Sequence, residues 1–202
     1  MQFISIGGKC NVKHQINKHI KEVETLFFDW LGTDMDTVIA VLQCNNINNI
    51  LTYDNIIQDP NSNPNSSGLR ILIKSLPYCV SVHDFKRDFS NKEINNFLHK
   101  YKRRHERIIQ IIKSKTKLYF IRYGKIENNH KDAFINTILT INPTCNFTLV
   151  SINIKQDTHS INQSEHFLEM NLTHKPTQTE CNDWTTSYLN WKTIFKTIVD
   201  MT

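Results

Sequence analysis

Short apolar runs alternate along this chain with segments in which apolar residues recur three and four positions apart. The runs predict buried strands at residues 2–6, 78–83, 118–123, 147–154 and 167–170. The helical spacing predicts helices at about 11–20, 35–42, 91–114, 133–139 and 184–199. Because strands and helices alternate, the pattern predicts an α/β fold with a single central sheet flanked by helices.

The length of 202 residues suits a single α/β domain covering residues 1–202. Two polar stretches rich in turn-forming residues interrupt the pattern, near 59–68 and 155–164. We expect both to be mobile surface loops within the domain.

The composition is that of a globular protein, with 39% hydrophobic and 21% charged residues. A net charge of +5 is too mild and too dispersed to indicate a nucleic-acid partner. No apolar run reaches the length of a bilayer span, and no basic start precedes a long apolar segment, so we expect neither membrane insertion nor a signal peptide. The five cysteines are odd in number and widely spaced, which favours a reducing, cytoplasmic location.

Cys10 is the first candidate for chemistry. It follows the Gly7-Gly8 turn at the end of the first predicted strand, where a helix is predicted to begin. The positive end of a helix dipole and unpaired backbone N–H groups favour the nucleophilic thiolate. The N–H groups from Gly8 to Asn11 are also candidate donors to an oxyanion. The other candidate nucleophiles, Cys44, Cys79 and Cys145, are interpreted as core residues.

A nucleophilic thiol needs a base within hydrogen-bond reach and a group that orients the base. His83 is the best candidate base, because it lies at the end of a predicted strand, where α/β folds place their sites. Asp84 beside it, and Asp29 within an aromatic run, are the candidate acids. Trp30 follows Asp29, and Arg122 ends an otherwise apolar strand, where it pairs with a buried acid or binds an anion.

Four local patterns occur in a recognisable order over the first two-thirds of the chain. They are Ile4-Ser5-Ile6-Gly7 leading into Cys10, then Phe28-Asp29-Trp30-Leu31, then His83-Asp84-Phe85, then Phe120-Ile121-Arg122. In these patterns the chain resembles a domain-of-unknown-function family described as putative papain-like cysteine peptidases, found in bacteria and large DNA viruses. The stretch Asp183-Trp184 is similar in character.

The resemblance implies that Cys10 is the nucleophile and His83 the base. The orienting acid stays open between Asp84 and Asp29, because neighbouring strand residues point to opposite faces and Asp84 can orient His83 only if the strand ends between them. Gly8, Lys9, Asn11, Trp30 and Arg122 are then expected to support the site or to bind substrate. Lys9 departs from the small polar residue that the family has before the cysteine. It either disturbs the oxyanion site or lowers the pKa of the thiol by its charge.

The leading hypothesis is therefore a cysteine hydrolase, either a peptidase, an amidase or an acyl transferase, acting on a peptide or amide substrate. The alternative is a non-catalytic structural or interaction protein of a large DNA virus that retains the fold, in the host cytoplasm or the virion. We expect no cofactor and no metal. Cys10-x-x-x-His14 and Cys79-x-x-x-His83 lack a recognised zinc spacing, and no second pair completes a ligand set. The absence of a P-loop or a G-x-G-x-x-G argues against a nucleotide-dependent enzyme.

Overall fold

The computed structural model describes residues 1–8, 10–20, 24–62, 68–86 and 88–202. In these ranges the chain is mixed α/β with two sheets, not the single central sheet expected from the sequence. The nine strands are β1 (Gln2–Ser5), β2 (Leu31–Thr33), β3 (Ile56–Gln58), β4 (Leu69–Ile73), β5 (Cys79–Phe85), β6 (Leu118–Tyr123), β7 (Phe147–Lys155), β8 (Ser160–Ser164) and β9 (Phe167–Thr173). The six α-helices are α1 (Asn11–His19), α2 (Met35–Gln43), α3 (Asn91–Ile112), α4 (Asn128–Ile141), α5 (Gln178–Asn182) and α6 (Trp191–Met201).

The larger sheet has the strand order β1-β6-β7-β9-β8, and only β8 runs antiparallel to its neighbour. Successive residues of its strands face opposite sides, so each face packs its own apolar cluster. Phe3 and Ile121 face the cluster that includes α1 and α6. Ile4 and Phe120 face the other cluster, which includes α3 and α4. Helices thus cover both faces of this sheet.

The smaller sheet is antiparallel, in the order β2-β5-β4-β3. Its register shifts, because Ile71 pairs with Ser81 whereas Leu69 pairs with Phe85. Arg70 alone therefore stands opposite the three residues 82–84 of β5. A bulge of this kind breaks the strict alternation of side chains and re-aims one of them.

Two predictions for polar segments differ from the structure. The closing helix begins at Trp191, not near residue 184, because Asp183 accepts hydrogen bonds from the backbone and hydroxyl groups of Thr185 and Ser187. These bonds hold a turn in place of a helix. Residues 160–164, expected in a polar loop, form the edge strand β8. Part of the other predicted loop, residues 63–67, lies outside the described residues.

Helices in the described ranges are each too short or too polar to span a bilayer.

Candidate active site

Cys10 lies immediately before α1, at the end of a turn that only glycine fits. Gly7 and Gly8 have φ angles of +77° and +85°. A Cβ atom on Gly7 would lie 1.9 Å from Oγ1 of Thr33 on β2. The chain can therefore cross from β1 to α1 at this close approach only with glycine at position 7. Lys9, between this turn and Cys10, lies outside the described residues.

The structure brings Cys10 and His83 together across 73 positions of sequence. The distance between Cys10 Sγ and His83 Nε2 is 3.4 Å. His83 lies in the bulged part of β5, and both Val82 and His83 are exposed, as expected where side-chain alternation is broken. The bulge directs the imidazole to the start of α1. A thiol and a base are thus in hydrogen-bond contact at the surface.

The carboxylate of Asp84 faces away from His83. It accepts hydrogen bonds from the Ser81 hydroxyl at 2.5 Å, from the Tyr101 hydroxyl at 2.8 Å and from the Lys100 ammonium. Burial acts to raise the pKa of Asp84, but the bonds from Lys100, Ser81 and Tyr101 together hold it below its ordinary value. Asp84 therefore joins β5 to α3, and the geometry argues against the orienting role expected for it.

Asp29 also has other partners than His83. Its Oδ2 atom lies 2.9 Å from Lys13 Nζ and accepts the backbone N–H of Leu26 at 2.8 Å. Both members of the ion pair are almost fully buried, and Lys13 donates a further bond to the Glu24 carbonyl. Burial raises the pKa of Asp29, against the effect of Lys13. The pair fixes the first turn of α1 to the 26–29 turn, and so fixes Cys10 indirectly.

The described side chain that packs against the His83 ring is Trp30. The two ring centroids are 6.1 Å apart and the ring planes meet at 81°. Trp30 has a φ angle of +68°, a strained conformation for a bulky residue. Such strain persists only where surrounding contacts hold it. Within the described ranges, His83 Nδ1 makes no hydrogen bond, so an edge-to-face aromatic contact takes the place expected for an acid.

Arg122 supports the turn from behind. Its guanidinium donates to the carbonyl of Ile6 at 3.3 Å and to that of Thr33 at 2.8 Å. Gly8 passes over it, since a Cβ there would lie 3.6 Å from Arg122 Cζ. Burial lowers the pKa of Arg122, against the charge of Asp34. Arg122 thus ties the end of β1 to the end of β2 and is committed to backbone carbonyls.

Asn11, a predicted supporting residue, is fully buried in the first turn of α1. Its Oδ1 accepts the backbone N–H of Val12 at 2.8 Å, and its Nδ2 has no partner among the described residues. The first N–H groups of a helix have no acceptor within the helix. The N–H of Val12 is taken by Asn11, so the remaining N–H groups nearest to Cys10 are the ones suited to donate to a negatively charged oxygen beside the thiol.

The electrostatic surroundings of Cys10 differ from the expectation. Burial raises the pKa of the Cys10 thiol; its own backbone N–H opposes this, and the carboxylates of Asp29 and Asp84 add to it. An ordinary thiol already has a pKa of about 8.5. These surroundings favour the protonated thiol, against the shift towards thiolate expected at a helix start, so a neighbouring base has a larger part in making Cys10 a nucleophile.

An open cleft of about 410 Å³ adjoins the pair. Its described lining is mostly apolar and consists of Cys10, Gly32, Arg70, Tyr78, Val80, Val82, His83 and Trp184. Tyr78, Val82 and Trp184 are among the few large apolar side chains that are exposed. Arg70, Tyr78 and Val82 carry no local signal in the sequence for a place in this cleft, since the bulged pairing of β4 and β5 brings them beside Cys10.

Trp184 reaches the cleft from a distant part of the chain. The turn held by Asp183 is anchored to α1, because Gln15 Nε2 donates to the Thr185 carbonyl at 2.6 Å. The Trp184 ring packs edge-to-face on His14, with centroids 5.2 Å apart. Because α1 carries both contacts, Cys10 and Trp184 are positioned by the same helix.

The site offers acid–base and nucleophilic groups but no cluster of metal ligands. Over the described ranges, no three His, Cys, Asp or Glu side chains are arranged to hold a metal ion.

The chain is similar to known proteins over most of its length. A family model described as "Putative papain-like cysteine peptidase" matches residues 1–157. An uncharacterised protein of Acanthamoeba polyphaga mimivirus is 24% identical over 223 residues, which cover 95% of this chain and 96% of the relative. No solved structure matches the chain.

Proposed function

Because this chain belongs to the family described as putative papain-like cysteine peptidases, we propose that it is a cysteine hydrolase acting on amide or thioester bonds. The observation that carries the proposal is the 3.4 Å contact between Cys10 Sγ and His83 Nε2 beside an open cleft. Proximity of a thiol and an imidazole at a surface cleft is the arrangement that nucleophilic thiol chemistry requires.

In the first half of the reaction, Cys10 Sγ attacks the carbonyl carbon of the substrate and its proton passes to His83 Nε2. The carbonyl oxygen becomes an oxyanion, for which N–H groups at the start of α1 are donors. The carbon–nitrogen or carbon–sulfur bond then breaks. His83 returns the proton to the leaving amine or thiol, and an acyl group remains on Cys10.

In the second half, water attacks the acyl group while His83 accepts a proton from it. The tetrahedral intermediate collapses, the carboxylic acid leaves, and the proton on His83 returns to Cys10 Sγ. An amine in place of water would give acyl transfer. The raised pKa of Cys10 makes His83 necessary for the first step, because little thiolate is present without it.

The proposed machinery is a pair with an aromatic support, not a triad. Trp30 packs on the His83 ring, and Asp84 and Asp29 are bound to Lys100 and Lys13 respectively. An imidazole without an orienting acid is a weaker general base. We therefore expect slow turnover of simple amides and faster acylation by activated esters or thioesters.

Alkylation with limiting iodoacetamide, followed by mass spectrometry of each cysteine, tests the pair. Cys44 is the internal standard, because it is half-buried like Cys10. We expect Cys10 to react fastest, and His83→Asn to slow it by about 10-fold or more while Cys44 is unchanged. His99→Asn, an exposed histidine on α3, is the matched control. Equal rates at all five cysteines in the folded protein would count against the proposal.

Acylation distinguishes an enzyme from a non-catalytic protein that keeps the fold. With p-nitrophenyl acetate we expect a burst of one nitrophenol per chain and an acetyl adduct on Cys10, neither of which Cys10→Ala shows. A folded protein that forms no adduct would favour the structural or interaction role instead.

The place of action stays a prediction. Cys10, Cys44, Cys79 and Cys145 are free thiols in the structure, as suits a reducing compartment. Together with the mimivirus relative, this supports action in a host cytoplasm or inside a virion. The peptide or amide substrate is proposed from the family description alone.

A further inference from the structure

Arg70 is the one permanently charged side chain among the described residues that line the cleft. The rest of that lining is apolar or aromatic, apart from Cys10 and His83 themselves. Arg70 lies on β4 opposite the bulge that carries His83, so the strand pairing ties its position to that of the base. About 41% of its side chain is exposed.

The guanidinium of Arg70 has two partners among the described residues, Asp59 and Tyr78. Its Nε donates to Asp59 Oδ2 at 2.5 Å, and Asp59 in turn accepts the backbone N–H of Asn61. The bond to Asp59 and a further one to Tyr78 raise the pKa of Arg70, so it is always charged. Asp59 is bound at Nε and Tyr78 takes at most part of what remains, so the planar fork keeps Nη donors for a second anion.

We propose that this cleft selects substrates in which an apolar or aromatic residue is accompanied by a carboxylate, and that Arg70 is the residue that binds the carboxylate. Tyr78, Val82 and Trp184 would contact the apolar residue. Arginine binds carboxylates through paired, charge-assisted hydrogen bonds, and an apolar wall beside it strengthens them. The proposal rests on the proposed function, since it assigns the specificity of the Cys10 site.

Affinity alkylation tests the proposal without requiring turnover. N-chloroacetyl-phenylalanine and its carboxamide carry the same reactive group and ring and differ only in the carboxylate. We expect the carboxylate reagent to alkylate Cys10 about 5- to 10-fold faster. Arg70→Gln should abolish the difference and Arg70→Lys should retain part of it. Arg103→Gln, an exposed arginine on α3, should change nothing.

A third reagent, N-chloroacetyl-phenylalanyl-glutamic acid α-amide, distinguishes a side-chain carboxylate from a chain-terminal one. A preference for either carboxylate reagent that Arg70→Gln removes supports the proposal and identifies the source. Equal rates for all three reagents, or a preference that survives Arg70→Gln, would overturn it. Failure of Cys10 to react faster than Cys44 with any reagent would instead contradict the proposed function.

Discussion

His83 and Asp84 are neighbours in sequence, yet their side chains leave β5 on opposite sides. His83 Nε2 lies 3.4 Å from Cys10 Sγ, whereas Asp84 binds Ser81, Lys100 and Tyr101 in the interior. The bulge of β5 breaks the strict alternation at Val82 and His83, so His83 turns to the surface while Asp84 turns back towards α3. Asp84 therefore joins β5 to α3, whereas His83 lies at the surface beside Cys10.

Replacing Asp84 with Asn should destabilise the protein more than it affects Cys10. We expect a loss of about 2 kcal/mol in the free energy of unfolding at pH 7, since Lys100 and Tyr101 lose a charged partner. Alkylation of Cys10 by iodoacetamide should stay within about threefold of the wild type, because Asp84 does not contact His83. In a true triad, loss of the acid lowers catalytic turnover by about 10⁴.

The loss of stability in Asp84→Asn should depend on pH. The pKa of Asp84 in the folded state lies below its ordinary value, so its stabilisation is present above about pH 4 and is lost as the pH falls through the folded pKa. Urea unfolding should therefore show a difference between wild type and Asp84→Asn at pH 7 that shrinks at pH 3. Asp88→Asn, an exposed acid, is the control. A difference independent of pH would contradict this account.

Substituting Trp30 tests its ring contact with His83 without disturbing the fold. At a φ of +68° glycine is unstrained, so Trp30→Gly relieves backbone strain while removing the ring that packs on His83. We expect Cys10 alkylation to fall about tenfold with little change in the melting temperature. Trp30→Phe should retain most of the rate. If Trp30→Gly reacts as the wild type does, the aromatic contact has no positioning role.

Gly7 should tolerate no side chain. Gly7→Ala combines a φ of +77° with a contact of 1.9 Å to Thr33 Oγ1, and we expect it to cost about 3 kcal/mol of stability. Gly124→Ala is the matched control, because its φ is +112° but nothing lies within 4 Å. It should cost only about 1 kcal/mol, the strain alone.

A double-mutant cycle separates the clash at Gly7 from the strain. Thr33→Ala removes Oγ1, and in its presence Gly7→Ala should cost less than in the wild-type background. Chemical denaturation measures all four proteins. Strictly additive effects would show that the close approach to Thr33 does not constrain the turn.

Removing one member of the buried Lys13–Asp29 ion pair should cost more stability than removing both charges. Lys13→Met leaves a buried carboxylate without its cation, and we expect a loss of about 3–5 kcal/mol at pH 7. Adding Asp29→Asn removes the uncompensated charge and should restore part of that loss. Thermal unfolding of the single and double variants provides the measurement. A double variant less stable than Lys13→Met would show that the unpaired carboxylate of Asp29 is not the cause of the loss.

Local patterning by itself determined much of this protein. The strands β1, β6 and β7 are visible in the sequence as apolar runs, because helices cover both of their faces. The helices α1, α2 and α3 are visible through their periodicity, because each buries one face. The Gly7-Gly8 turn before Cys10 is also visible in the sequence, because the positive φ angles that it needs are a local requirement that glycine meets. Polar signals were weaker, so the start of α6 and the edge strand β8 were misplaced.

Only the tertiary structure decided how the pieces meet. The division into two sheets depends on which strands pair, and pairing between distant segments leaves no local signature. The bulge opposite Arg70 is a property of two strands together, and it determines that His83 faces Cys10. The raised pKa of Cys10 reflects burial and carboxylates from other parts of the chain, which outweigh the effect of its own backbone N–H.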